Sequence, residues 1–248
     1  PSNWGENDIP VSEITKHLIV TVPFFSASSQ TFVESHTVEL GTVDGSDIFY
    51  SLNNSEYKKY DKPIIINKQI VISSYAQKNK IKSKTVTSEY FPRDDSKKIK
   101  ILSTYANQYA AAGDKTLIDQ LRGGNNYRTG NWQGYREDLN VIVDISKVKK
   151  INSISLGCHQ DVRSWIFYPK QVDYWSSLDG ENYTYQGKVL ANFPDNIEGS
   201  LQKDFKLNVK NLKARYIKIK AENYGICPDW HLGAGGKTWI FVDEITIK

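Results

Sequence analysis

Methionine is absent from the 248 residues, cysteine occurs twice and histidine four times. Each scarcity narrows the function. Cys158 and Cys227 are too few and too far apart for a zinc knuckle or a disulfide framework. Two readings of the pair stay open: a single long-range bridge, or two small buried hydrophobes. There is no HExxH, GxSxG or phosphate-loop pattern. Acidic residues are plentiful, but no spacing singles out a two-carboxylate glycosidase pair. Asp243 and Glu244 are adjacent, and neighbours on a strand point to opposite faces instead of converging on one substrate. No catalytic residues are therefore expected. No apolar run approaches the ~18 residues of a membrane helix, and residues 1–20 lack a signal-peptide core. The net charge is a mild +4, with lysines mostly scattered singly. Nucleic acid is thus not an expected partner, because it calls for a concentrated basic patch.

What the chain has in abundance is aromatic surface: 15 Tyr, 9 Phe and 6 Trp, or 12% of residues. Aromatic rings favour strands and serve as flat recognition surfaces. The pattern along the chain is one of short strands and turns. Residues 1–20 carry little pattern and read as a linker from an upstream domain. A first strand-rich block, residues 21–93, contains Val38–Leu40, Ile48–Leu52, Ile64–Ile66, Ile70–Tyr75 and Thr85–Phe91, spaced as in a small β-sandwich. Polar residues 92–98 mark a boundary, and Lys97–Lys100 reads as solvated linker. The second block, residues 99–248, has its main strands at Val141–Asp144, Ile151–Leu156, Val172–Leu178, Tyr216–Ala221 and Ile240–Ile247. Arg215–Lys220 alternates strictly, so Ile217 and Ile219 share one face. Only Tyr105–Leu121 has room for a short helix. The expected fold is all-β: a small sandwich followed by a jelly-roll sandwich.

Three loops of the second block concentrate polar and aromatic groups. Cys227–Trp239 holds Asp229, Trp230, His231, a glycine cluster and Lys237. Glycines let backbone approach a ligand closely, an indole can stack on the apolar face of a sugar, and Asp, His and Lys can bond its hydroxyls. His159–Trp165 brings Gln160, Asp161 and Arg163 next to Trp165. Arg122–Trp132 offers Asn126, Arg128 and Asn131. Each has a plainer reading as packing anchor, surface ion pair or turn chemistry. The candidate carbohydrate-binding residues are Asp161, Arg163, Trp165, Asp229, Trp230, His231 and Asn131.

Leu117-Ile118-Asp119, Trp132-Gln133-Gly134-Tyr135, Val172 to Gly180, Ala214 to Ile219 and Val242-Asp243-Glu244-Ile245 occur in an order that resembles discoidin-type domains. That is the fold of coagulation factor 5/8 C-type modules and family 32 carbohydrate-binding modules. Gly157 to Pro169 and Asn223 to Gly236 resemble the version at the C-terminus of Bacteroides-like family 20 β-N-acetylhexosaminidases. Ile48 to Leu52, Tyr60 to Ile66 and Ile70 to Ala76 resemble the immunoglobulin-like domain of such chitobiases. The resemblance implies a non-catalytic, sugar-binding appendage of a secreted, periplasmic or cell-surface glycoside hydrolase. It implies galactose- or N-acetylhexosamine-type glycans as partners, and a catalytic barrel and export signal preceding Pro1. It also implies a structural Ca²⁺ near Asp119 and Glu244. A structural spacer that binds nothing is the alternative. A phospholipid-binding discoidin would need exposed apolar spikes at its loop tips, and these loops read as polar and glycine-rich, so membrane lipid is not the expected partner.

Overall fold

A computed structural model describes residues 19–248. The linker expected over residues 1–20 lies almost wholly outside the described residues. The chain is all-β and divides into two compact units. Of the described residues, one unit comprises those up to Ser29 and Glu34–Tyr90, the other Gln30–Val33 and Phe91–Lys248.

The strands of the first part of the chain are β1 (Phe24–Ser26), β2 (Thr31–Phe32), β3 (His36–Gly41), β4 (Asp47–Leu52), β5 (Lys58–Lys59), β6 (Ile64–Ile66), β7 (Ile70–Lys78), β8 (Ile81–Lys82) and β9 (Val86–Pro92). β3 lies between β1 and β6 in one sheet, while the other runs β9-β7-β4-β5 with β8 hairpinned onto β7. Alternation dictates what is buried. Val38 and Leu40 of β3, Ile64 and Ile66 of β6, and Ile70, Ile72 and Ala76 of β7 turn inward, while Ile65 is exposed. β2 pairs in parallel with Phe91 and Pro92 at the end of β9, which is why residues 30–33 group with the second unit.

The second unit is built on β10 (Lys98–Ile101), β11 (Gln133–Tyr135), β12 (Leu139–Gln160), β13 (Gln171–Ser177), β14 (Thr184–Leu190), β15 (Leu201–Ala221) and β16 (Ile240–Ile247). Their order is β11-β16-β12-β15-β13-β14, with β10 also on β12. The expected strands at 141–144 and 151–156 are parts of one long β12, paired along its length with β15 through register breaks at Asp144/Lys149 and Ile151/Ser153. Asp144 takes a two-pronged bond from Arg215, both contacts 2.9 Å, and accepts the Ser146 N–H at 2.7 Å where Ser146 turns to φ +71°. That arrangement fixes the first break. Val141, Val143, Ile154, Leu156, Val172, Tyr174, Phe205, Ile217, Ile219 and Val242 fill the core between the layers.

Two expectations need correction. Lys97–Lys100 is not linker: Lys98–Ile101 forms β10, with Ile99 opposite Val143. Its lysines point to water while Ile99 and Ile101 pack on the core, an alternation that lysine-rich composition disguises. Tyr105–Leu121, the segment with room for a short helix, does carry helical turns, two short 3₁₀ ones at Asn107–Tyr109 and Gly113–Ile118. Cys158 and Cys227 form no bridge; both are free and buried. Strand geometry points Cys158 into the main core, whereas Cys227 packs with Val162, Phe167 and Tyr224 in a separate cluster.

A buried carboxylate ties the 120s loop to the sandwich. Asp243 is fully buried; its Oδ2 accepts Arg122 Nε–H at 2.8 Å and Gly123 N–H at 2.9 Å, and its Oδ1 accepts Glu244 N–H at 2.7 Å. Arg122 also pairs with Asp204 at 2.7 Å. The network exists because Gly157 has no side chain: a Cβ there would lie 2.0 Å from Asp243 Oδ1 and 2.8 Å from Arg122 Nη2. Gly157→Ala should therefore lower unfolding free energy by about 2–4 kcal/mol, through overpacking and a disturbed buried ion pair. Gly124→Ala, where the nearest atom is 4.0 Å away, should cost less than about 1 kcal/mol. Urea titration of the two variants checks the contrast.

Candidate functional site

Strands β12, β13, β15 and β16 are joined by loops, several of which meet. After β12 the chain makes a tight 3₁₀ turn, Val162–Ser164, and Trp165 caps it in the left-handed region at φ +65°. A bulky residue there carries strain, and the surrounding bonds hold it. Trp165 N–H donates to Val162 O, Trp239 N–H donates to Trp165 O, and Phe167 N–H donates to Trp239 O. The loop before β16 folds back over this turn. A Cβ on Gly233 or Gly236 would come within 2.5 and 2.7 Å of the Trp165 ring, so the glycine cluster lets backbone lie against the indole.

The result is an open cleft of about 550 Å³ lined by Val162, Arg163, Trp165, Glu198, Trp230, His231, Leu232 and Gly233. Trp165 is 37% and Trp230 49% exposed. His231 lies between the two loops, 6.2 Å from the Trp165 ring and 5.7 Å from Trp230, centroid to centroid. Its Nε2 meets Val162 O at 2.6 Å, and its Nδ1 accepts Gly233 N–H at 2.9 Å. These bonds fix a neutral ring with the proton on Nε2.

The expected site residues thus fall into two groups. Arg163, Trp165, Trp230 and His231 converge, but His231 is a buried pillar with both nitrogens engaged, not a group free to bond a hydroxyl. Asp161 turns away to accept Ser164 Oγ–H at 3.1 Å. Asp229 is exposed beside the cleft without lining it. Asn131 donates to Arg122 O at 3.3 Å, within a loop closed by Trp132, whose Nε1–H donates to Gly124 O. Glu198 and Leu232 are among the lining residues not anticipated. Glu198, from the 191–200 loop, pairs with Arg163 across the rim. Leu232 stands fully exposed at the loop tip, so the expectation of tips without apolar spikes does not hold.

Asp119 and Glu244 lie on either side of one turn. Glu244 Oε2 accepts Gln120 N–H and Asp119 Oδ1 accepts Leu121 N–H, each at 2.8 Å, with Gln120 at φ +69°. Both carboxyls are buried. Burial pushes Asp119 up to about 6, against the Leu121 amide. Burial also pushes Glu244 up to about 8, with Asp119's charge adding to the rise. Two desolvated carboxylates beside an irregular turn are chemically suited to a hard cation. No three His, Cys, Asp or Glu side chains gather as a cage among the described residues, so backbone carbonyls and water would have to complete the shell.

A family model for the F5/8 type C domain matches residues 98–239, which is more than half of the chain and covers the cleft and the Asp119 turn. The chain belongs to the F5/8 type C family. Solved structures similar to this F5/8 type C protein include a Clostridium perfringens CBM32 module in complex with GalNAc-β-1,3-galactose. It is 16% identical with a TM-score of 0.38, and the match covers 61% of this chain and 94% of that one. Another is the family 32 module of C. perfringens NanJ in complex with galactose, 14% identical, TM-score 0.39, covering 61% and 93%. The C-terminal domain of a Bacteroides fragilis chitobiase is 21% identical, with a TM-score of 0.35, covering 60% and 92%. No curated protein matches the chain.

The carboxyl pair makes stability depend on pH in a stated direction. A carboxyl whose folded pKa is raised keeps its proton longer in the folded than in the unfolded state, so stability falls as pH rises toward the folded value. In chelator, melting temperature should fall between about pH 4.5 and 8, and Glu244→Gln should flatten that fall. Asp144 and Asp179 are held low by Arg215 and Asn182, so their contribution is lost only in acid and lies outside the window.

Proposed function

We propose that the chain is a non-catalytic carbohydrate-binding appendage of a secreted, periplasmic or cell-surface glycoside hydrolase, a β-N-acetylhexosaminidase by its sequence resemblance. The observation that carries this reading is the open cleft in which Trp165 and Trp230 are both part-exposed. A soluble domain exposes two indoles in one concave site at a cost, unless something apolar and flat covers them. A sugar ring offers such a face, and its hydroxyls are within the chemistry of the Arg163–Glu198 pair and the backbone of the glycine-rich loop. The first unit, with its two small sheets, is read as the immunoglobulin-like domain that separates the sugar-binding unit from a catalytic barrel.

Galactose- or N-acetylhexosamine-type glycans are the proposed partners. Few direct hydrogen bonds and an open cleft set the affinity at roughly 0.1–1 mM, useful when a dense glycan surface adds avidity. Asp119 and Glu244 are proposed to hold a structural Ca²⁺, which would neutralise two buried carboxylates and brace the turn between them. The alternative is a spacer that covers the same indoles and Leu232 with a neighbouring domain and binds no sugar.

Trp230→Ala separates the two. Calorimetric titration with galactose, N-acetylgalactosamine and N-acetylglucosamine should show a loss of about 1–2 kcal/mol for the sugar that binds, with little change in melting temperature. Unchanged affinity with a sharply lower melting temperature would favour the spacer.

Millimolar Ca²⁺ should raise the melting temperature of the wild-type chain, and the rise should grow from about pH 6 to 8 as the carboxyls ionise. Asp119→Asn with Glu244→Gln should abolish it.

A further inference from the structure

A second concavity of about 380 Å³ is lined by Gln160, Tyr168, Lys170, Phe193, Asp195 and Tyr224, among others. Three features distinguish it from a chance dent. Gln160 is almost fully buried, its Oε1 accepts Tyr168 N–H at 3.3 Å, and its Nε2 meets no acceptor among the described residues. An unpaired buried amide needs an explanation, and a ligand hydroxyl is one. Tyr224 donates its hydroxyl to Asp195, which leaves Asp195 Oδ1 without a donor among the described residues. Phe193 is exposed and stands edge-on to Tyr168, 5.7 Å between centroids. The site therefore combines an exposed ring, a carboxylate, a lysine and an amide, the mixture that recognises a polyhydroxylated ring.

The two concavities draw lining residues from one loop. The 191–200 loop gives Glu198 to the first and Phe193 and Asp195 to the second. Phe167 lies 4.7 Å from Tyr224 and 6.2 Å from Trp230, centroid to centroid. Tyr224 and Trp230 can thus be no further apart than those two steps, within reach of neighbouring units of one oligosaccharide.

We propose that the Gln160–Phe193–Tyr224 concavity is a second sugar subsite, so that the preferred ligand is a glycan of at least two units running from the Trp165–Trp230 cleft across the 191–200 loop. This rests on the sugar-binding reading of the first cleft.

The test is calorimetric titration of the full chain with two matched pairs: N-acetylglucosamine against N,N′-diacetylchitobiose, and galactose against lactose. At least one disaccharide should bind about three- to tenfold tighter than its monosaccharide, the scale of one further ring contact. Phe193→Ala should erase that gain and leave monosaccharide affinity as in wild type. Asp195→Ala, also at the surface, should do the same and serves if Phe193→Ala folds poorly. Equal affinity for both members of each pair, or equal losses for both in the variants, overturns the second subsite while the first cleft stands. If no sugar of either pair binds, both readings fall.

Discussion

The candidate site depends on one buried imidazole. His231 reaches the carbonyl of Val162 with one nitrogen and takes the amide of Gly233 with the other. Breaking either bond would strand a buried polar group, at about 1–3 kcal/mol apiece. The loop before β16 is therefore held against the turn after β12, with the Trp165 and Trp230 rings 6.2 and 5.7 Å from the imidazole, centroid to centroid. The glycines follow from the same constraint, because backbone this close to Trp165 leaves no room for a Cβ at 233 or 236.

Beneath this clamp the scaffold is rigid for a different reason. β12 and β15 each exceed twenty residues and pair along most of their length. Their apolar faces make one core, from Val141 and Val143 to Leu156 and Phe205, which Val242 of β16 joins. The Asp243–Arg122–Gly123 network fastens the 120s loop to that core, and Asp119 and Glu244 sit just beyond it. The loops thus vary in chemistry on a frame whose geometry is set by strand pairing.

Much of this frame is legible in the sequence. Strict alternation in Arg215–Lys220 identifies the inward isoleucines, and the apolar runs at 172–178 and 240–247 identify β13 and β16. β14 escapes notice because Thr184–Leu190 lies at the sheet edge with mostly polar side chains. β10 escapes because its lysines dominate its composition. The convergence of Trp165 and Trp230 can be anticipated, since both stand in loops rich in glycine and polar residues. The use of His231 cannot. A histidine beside a tryptophan reads equally as ligand or pillar, and only the positions of Val162 O and Gly233 N decide. Glu198 and Phe193 are likewise invisible: they lie in a polar loop whose relation to the site is set by the path from β14 to β15. The cysteine pair is decided only by the structure, between the two readings the sequence leaves open: both are free and buried, Cys158 in the main core and Cys227 in a separate cluster.

The central claim is that the exposed indoles bind sugar. The chain has six tryptophans, and each indole N–H gives its own signal in a proton–nitrogen correlation spectrum. Titration with N-acetylglucosamine or galactose should move the signals of Trp165 and Trp230, with saturation, while that of the buried Trp132 stays in place. A spectrum in which no indole signal moves with any of these sugars, or in which only tryptophans outside the cleft respond, would contradict the account.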